Sequence, residues 1–365
     1  MIQITTKVYR DNEYEPCITN IRTAYSKLTL KHKGRIEYEQ IMKSFLKNFT
    51  VLIRNHCTEG TLPRNSLVQL NGASDNSDYT GKAYFQCNSQ NAGLLVGSGN
   101  NSVTVGDYVL QNQIPNGTDS GSLVYSQYTS FLPPFVESNK STFYVIRSFY
   151  NPSDTDSVEI NEIGLTVNYQ SSYSDCVTLI TRDVLETLYT VSPTKNVNIA
   201  YKFVFPPPLT LQFARLVYNH MANNFRRVDV QTVDGSYTDH DDIGDSHFRV
   251  FVGEGLIAGT DTTPTSVTDY YLKNKIENGD GDNLLSYGEL SVTDVTTYED
   301  GTGFSISRPF VNNGSVSVSI GECGLVVNIG STGYYTLIAR DTFSSPITVD
   351  PGNSIIITLD IKFLL

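Results

Sequence analysis

The residues able to do chemistry fall in a few places. Two Arg-Asp dipeptides, Arg182-Asp183 and Arg340-Asp341, are the most conspicuous, with two glutamates, Glu162 and Glu322, each two residues before a glycine. An Arg-Asp pair could grip a ligand. Successive strand residues point to opposite faces, however, so the two charges should meet different partners at a sheet edge or subunit contact. The glutamates could act as general acids if each were desolvated beside a second carboxylate. No such carboxylate stands at a fixed spacing. The glycines suit a bulge, where each glutamate would take backbone hydrogen bonds.

Asp239-His240-Asp241-Asp242, with Asp245 and His247 close by, carries metal-ligand chemistry: carboxylates suit Ca²⁺ and two histidines suit Zn²⁺. Its spacing matches no ligand pattern and reads as a solvated acidic loop, with metal binding left open. Asp280-Gly281-Asp282-Asn283 lacks the spacing and distal Glu of an EF-hand and reads as a turn. Val96-Gly97-Ser98-Gly99 and Val252-Gly253-Glu254-Gly255 are neither GxGxxG opening a helix nor GxxxxGK[ST]; they read as strand ends. His56 and His220 suit packing or capping on helices. No Ser-His-Asp or Cys-His arrangement has recognisable local context. The sequence therefore assigns no catalytic, cofactor-binding or metal-ligating residue, and no enzyme is expected.

The elements that carry these residues repeat. Val316-Ser317-Val318-Ser319-Ile320-Gly321-Glu322-Cys323-Gly324-Leu325 echoes Val158-Glu159-Ile160-Asn161-Glu162-Ile163-Gly164-Leu165. Leu-Ile-x-Arg-Asp follows each (179–183 and 337–341), then Thr-Val, then an alternating run (197–205 and 355–363). Upstream, Phe49, Leu52, Asn55 and His56 fall on Phe213, Leu216, Asn219 and His220 at an offset of 164. Asp107-Tyr108 falls on Asp269-Tyr270 at 162, and Phe143, Arg147, Phe149 and Asn151 fall on Phe304, Arg308, Phe310 and Asn312 at 161. Offsets that drift slowly mean loops of different length in two copies. A period this long means paired domains, not a solenoid.

The best-marked runs alternate with period two: Val316, Val318 and Ile320 against Ser317 and Ser319, and Ile357, Leu359, Ile361 and Phe363 against Thr358, Asp360 and Lys362. Gly, Asn, Asp and Pro punctuate them. Residues 36–57, with Ile41, Phe45, Phe49, Leu52 and Ile53, predict a helix, as do residues 209–225 with Phe213, Leu216 and Val217. The expected fold is mainly β: two tandem antiparallel β-sandwich modules of Ig-like or jelly-roll-like type, each preceded by a helix. The expected divisions are an N-terminal arm (1–35), module one (36–205), and a stiff linker Pro206-Pro207-Pro208 opening module two (206–365).

Composition excludes several function classes. The 365 residues carry a net charge of −12, which divides as +4 over residues 1–60 and −16 over the remainder. An acidic body argues against direct nucleic-acid contact. The basic N-terminal segment could dock on an acidic surface, such as a neighbouring copy, or could be a solvated face. Five cysteines (Cys17, Cys57, Cys87, Cys176, Cys323) without close spacing read as free thiols. No leader-like apolar segment opens the sequence, and no apolar run approaches the ~20 residues of a membrane span.

The pattern Val-x-Ile-x-Glu-Ile-Gly-Leu, then Leu-Ile-x-Arg-Asp, then Thr-Val before a terminal strand resembles modules of tailed-virus structural proteins of the tail, fibre or head-associated type. Residues 158–165 with 179–205, and 318–325 with 337–363, carry it, together with Asp-Tyr-x-Leu and Phe-x-x-x-Arg-x-Phe. Residues 1–35 lie outside it, and Ser192-Pro193-Thr194 departs from the Asp350-Pro351-Gly352 turn. The resemblance implies a virion component (tail, neck or collar, or capsid-associated) assembled in the host cytoplasm. Its partners would be other virion proteins and further copies of itself in a trimer or ring, without cofactor. The competing expectation is a receptor- or glycan-binding fibre module, for which the 23 tyrosines would supply stacking surfaces.

Overall fold

The computed structural model describes residues 2–10, 18–32, 35–42, 45–57, 67–72, 85–86, 92–127, 129–170, 175–222, 228–238, 248–249, 254–329 and 333–364. The chain opens with three strands, β1 (Ile2–Arg10), β2 (Ile18–His32) and β3 (Arg35–Met42), and a helix, α1 (Lys47–Cys57). Then come β4 (Phe85–Gln86), β5 (Gly93–Gly97), β6 (Val124–Tyr125), β7 (Ser130–Glu137), β8 (Lys140–Tyr150), β9 (Val158–Gln170), β10 (Asp175–Val191) and β11 (Asn196–Phe205). A second helix, α2 (Leu211–Met221), precedes β12 (Phe248–Arg249), β13 (Gly255–Gly259), β14 (Ser286–Tyr287), β15 (Ser291–Val292), β16 (Thr296–Tyr298), β17 (Gly301–Val311), β18 (Val318–Ile329), β19 (Tyr334–Val349) and β20 (Ser354–Leu364).

The protein is mainly β, and every strand pairing among the named strands is antiparallel. Sequence periodicity explains the strands. In β20, Ile355, Ile357, Leu359, Ile361 and Phe363 are buried while Ile356 is exposed. β18 begins with alternation, Val318 and Ile320 buried around an exposed Ser319, then is buried at every position from Gly321 onward because both faces are covered.

One sheet has twelve strands, with the order β14-β17-β20-β1-β2-β11-β8-β6; β15 and β16 also pair with β17, β3 with β2, and β7 with β8. Two four-stranded sheets complete the fold: β10-β9-β4 with β5 on β9, and β12-β18-β13 with β19 on β18. The region expected as an arm thus lies in the middle of the large sheet, and this corrects that expectation. β1 pairs with β20 from Ile2↔Phe363 to Arg10↔Ile355, and β2 pairs with β11 from Tyr25↔Val204 to Lys31↔Asn198. The pairing spans the whole sequence, so no local pattern could reveal it. The helix expected over residues 36–57 is also corrected. Residues 35–42 are strand β3, and α1 starts at Lys47. Ile41 and Phe45 stand four apart, but Ile36, Tyr38 and Met42 equally obey a period of two. The second helix keeps its centre but runs from Leu211 to Met221, capped by Thr210, whose hydroxyl accepts from the Phe213 N–H at 3.4 Å.

The core is shared by the two halves of the chain. Phe49 of α1 meets Phe363 edge-on with ring centroids 5.2 Å apart, and Thr50 shares a buried 2.6 Å hydrogen bond with Thr302 of β17. Reciprocally, Tyr218 of α2 packs against Phe131 and Phe143, and Phe213 against Phe205. Each helix therefore packs on a strand of its own half (β10 for α1, β19 for α2) and on the large sheet of the other half. Residues 206–208, expected as a linker, lie against β19, where the Arg340 N–H donates to the Pro208 carbonyl at 2.8 Å.

Candidate functional site

The glutamates and arginines singled out by sequence come together. Glu162 on β9 and Arg182 on β10 are both buried, and Arg182 stands opposite Gly164, two residues beyond Glu162. The Arg182 Nε donates to Glu162 Oε2 at 2.8 Å, and its Nη1 donates to Asp107 Oδ2 at 2.8 Å. In the second half, Arg340 Nε donates to Glu322 Oε2 at 2.6 Å, Nη1 to Asp269 Oδ2 at 2.9 Å and Nη2 to Asp261 Oδ2 at 2.7 Å.

Backbone donors complete each glutamate. Glu162 accepts from the N–H groups of Gly99 (3.2 Å), Gln111 (3.0 Å) and Asn112 (2.7 Å), and Glu322 from that of Asn274 at 3.1 Å. A glycine faces each: Gly97 of β5 is paired with Glu162 and Gly259 of β13 with Glu322. A Cβ at either glycine would lie 2.5 Å from the carboxylate oxygen and 2.7 Å from a backbone carbonyl. These glycines let each carboxylate fold across the strand end; Gly97 belongs to the Gly-rich run 96–99, whereas Gly259 lies outside the run 252–255.

The aspartates hold turns. Asp107 accepts from the N–H and hydroxyl of Thr104, and Asp269 accepts from the Ser266 N–H. Next to these turns the helices begin: the Lys47 N–H donates to the Val105 carbonyl at 3.0 Å, and the Leu211 N–H to the Val267 carbonyl at 2.6 Å. Each network thus fixes strand pair, turn and helix start at one point. Burial alone would lower the Arg340 pKa, but the hydrogen bonds and charges of Glu322 and Asp269 outweigh it and raise it. Asp261 is held below the usual carboxylate range, first by the Thr263 hydroxyl and then by Arg340.

A second repeated arrangement sits beside them. The Tyr125 hydroxyl donates to the Ile114 carbonyl and the Tyr287 hydroxyl to the Ile276 carbonyl, each at 2.5 Å. Arg147 lies 5.1 Å from the Tyr125 ring centroid and Arg308 5.6 Å from that of Tyr287. Burial pushes both phenols up to about 12.

The remaining sequence candidates stay apart from these sites. Asp183 and Asp341 are buried away from the arginine networks, and the Thr342 N–H donates to Asp341. Asp280 and Asp282 bind the neighbouring turn: Asn313 Nδ2 donates to Asp280 Oδ1 at 2.8 Å, and the Ser315 N–H donates to Asp282 Oδ1 at 2.6 Å. His220 lies in the last turn of α2. Cys323 is a buried free thiol whose pKa burial pushes well up. The Asp239–His247 cluster and the side chain of His56 lie outside the described residues. Among the described residues, no three His, Cys, Asp or Glu side chains are grouped to hold a metal ion, and no helix is long and apolar enough to cross a membrane. Sequence reasoning missed Asp107 and Asp269 as third members of the networks. Their signal was present as a recurrence, since Asp-Tyr repeats at nearly the same offset as the glutamates.

No family model, curated protein or solved structure matches the chain.

Proposed function

We propose that the chain is a structural subunit of a tailed virus particle, in the tail or neck, assembling with copies of itself and with other virion proteins. The observation that carries this reading is the inward direction of its polar chemistry. Both Glu–Arg–Asp networks are closed by the protein's own N–H groups, with Glu162 and Glu322 fully buried. Such networks rigidify a scaffold and turn both glutamates inward, away from any substrate. The resemblance noted in the sequence supports the same reading.

In this proposal the halves are copies of one module, each a β-sandwich with its own helix. Strand registers support it. Tyr201 faces Leu28 on β2, while its repeat partner Leu359 faces Thr6 on β1, 22 positions earlier. Ile2 faces Ala24, again 22 apart, as a two-fold axis between β1 and β2 requires. One chain would then offer two similar surfaces to its neighbours. The test is labelling of purified virus particles with an antibody raised against the chain. Label at a fixed site on the particle is expected; unlabelled particles from cells that express the chain would overturn the reading.

A second reading, receptor or glycan binding at a fibre tip, draws on the exposed Tyr108, Tyr237 and Tyr271, with the Tyr270 and Tyr271 rings 4.7 Å apart. Binding to a glycan array that is lost in Tyr271→Ala would favour it.

A further inference from the structure

The outer face of the large sheet differs between the halves in a way the fold does not require. On β7, Leu132 is 47% exposed and Phe135 42% exposed. Leu132 pairs with Tyr144, and the Phe135 and Tyr144 rings stack with centroids 6.2 Å apart. Ile146, half-buried, continues the same face of β8 two residues on. The corresponding positions of the second half follow from the offset of 161 on β8 and β17 and from the strand registers. Ser305 and Ser307 stand for Tyr144 and Ile146. Thr296, opposite Gly303, stands for Phe135, opposite Thr142. Thr293, bonded to Ser305, stands for Leu132. Four residues of this face in one half, Leu132, Phe135, Tyr144 and Ile146, thus answer to four Ser or Thr residues in the other. The second half is an internal control: β17 pairs there with the short strands β15 and β16 while carrying Ser and Thr on this face, so the first half's side chains are not needed to form the edge.

The patch is bordered by a charge pair. Lys202 Nζ donates to Glu137 Oε2 at 2.8 Å, and the ammonium lies 5.6 Å from the Tyr144 ring centroid. At the position equivalent to Lys202 the second half has Asp360. Pro133 and Pro134 interrupt β7 and lack N–H groups, so an added strand could not pair along this edge. The surface therefore suits face-to-face packing.

We propose that this face is the contact through which two copies of the chain pair about a two-fold axis, a step within the assembly reading above on which it rests. A second copy is the occupant that the charges favour. An apolar centre with one cation and one anion at its rim is self-complementary: Lys202 of each copy can meet Glu137 of the other around Leu132, Phe135, Tyr144 and Ile146. A strongly anionic or cationic partner would leave one of the two charges facing its like.

The experiment is sedimentation velocity on the full-length chain over a concentration series. The first variant carries Leu132→Thr, Phe135→Thr, Tyr144→Ser and Ile146→Ser, the residues the second half already uses at these positions, with melting temperature recorded as a folding control. Self-association should weaken about 30-fold or more, as for loss of interface hot spots. The second pair of variants, Lys202→Glu and Glu137→Lys, should each self-associate poorly but form a mixed dimer when combined, because each then supplies the charge the other lacks. Wild-type chains that remain monomeric throughout would overturn both this inference and self-assembly. Oligomers that persist unchanged in the four-fold variant, or charge variants that do not pair on mixing, would overturn this inference while leaving assembly through another surface intact.

Discussion

Replacing Arg340 with Met removes a guanidinium that satisfies three carboxylates, through bonds of 2.6, 2.9 and 2.7 Å. The cost is uneven. The Asp261 and Asp269 side chains are 14% and 12% exposed and can recover some hydration, whereas Glu322 is 0% exposed and cannot. Deleting one partner of a buried ion pair typically costs about 3–5 kcal/mol, most of it from the stranded charge. With Glu322 stranded, the expected loss is about 4 kcal/mol. At roughly 1.3 °C per kcal/mol for a single cooperative unit of 365 residues, melting should fall by about 5 °C. Urea unfolding at pH 7, followed by far-ultraviolet circular dichroism, measures the free-energy change directly. The double variant Glu322→Leu/Arg340→Met should recover part of the loss, since apolar replacements leave no buried charge at the pair. A loss below about 1 kcal/mol in the single variant would refute the view that the network fixes strands, turn and helix together.

Three further outcomes follow from the same geometry. Gly97→Ala and Gly259→Ala should each destabilise the protein by about 1–3 kcal/mol or more, because the new methyl meets both the glutamate and a backbone carbonyl; thermal melts check this. Tyr125 and Tyr287 have folded pKa values of about 12, raised from 10.0, so the stability they confer is complete below pH 10 and is lost as pH rises towards 12. Ultraviolet titration should show late-ionising tyrosines whose number falls by two in Tyr125→Phe/Tyr287→Phe, and this variant should lose that component of alkaline unfolding. Deleting residues 1–42 should unfold or aggregate the chain, because it strips β1 and β2 from between β20 and β11 and bares both edges. A soluble deletion variant with wild-type circular dichroism would count against the observed sheet order.

What the sequence made legible was local. The alternating runs ending each half are β11 and β20, and Phe49, Leu52, Phe213, Leu216 and Val217 are buried on the two helices. Glu162 and Arg182 drew notice by type, but their union depends on a diagonal contact between paired strands, which neither residue's neighbours announce. Asp107 lies 75 positions from Arg182, so only recurrence in the second half pointed to it. The N-terminal strands were hardest, because β1 draws its partner from the far end of the chain. Residues 36–42 failed for a different reason: their apolar spacing fits both periods, and pairing with β2 decided in favour of strand.

The proposed particle subunit would transmit load as one body, and the exchanged helices and common core make the two halves interdependent. Differential scanning calorimetry of the full-length chain tests this most directly. A single transition whose calorimetric and van't Hoff enthalpies agree is the result this account predicts. Two resolved transitions, each near half the total enthalpy, would mean that the halves fold as separate domains and would contradict it.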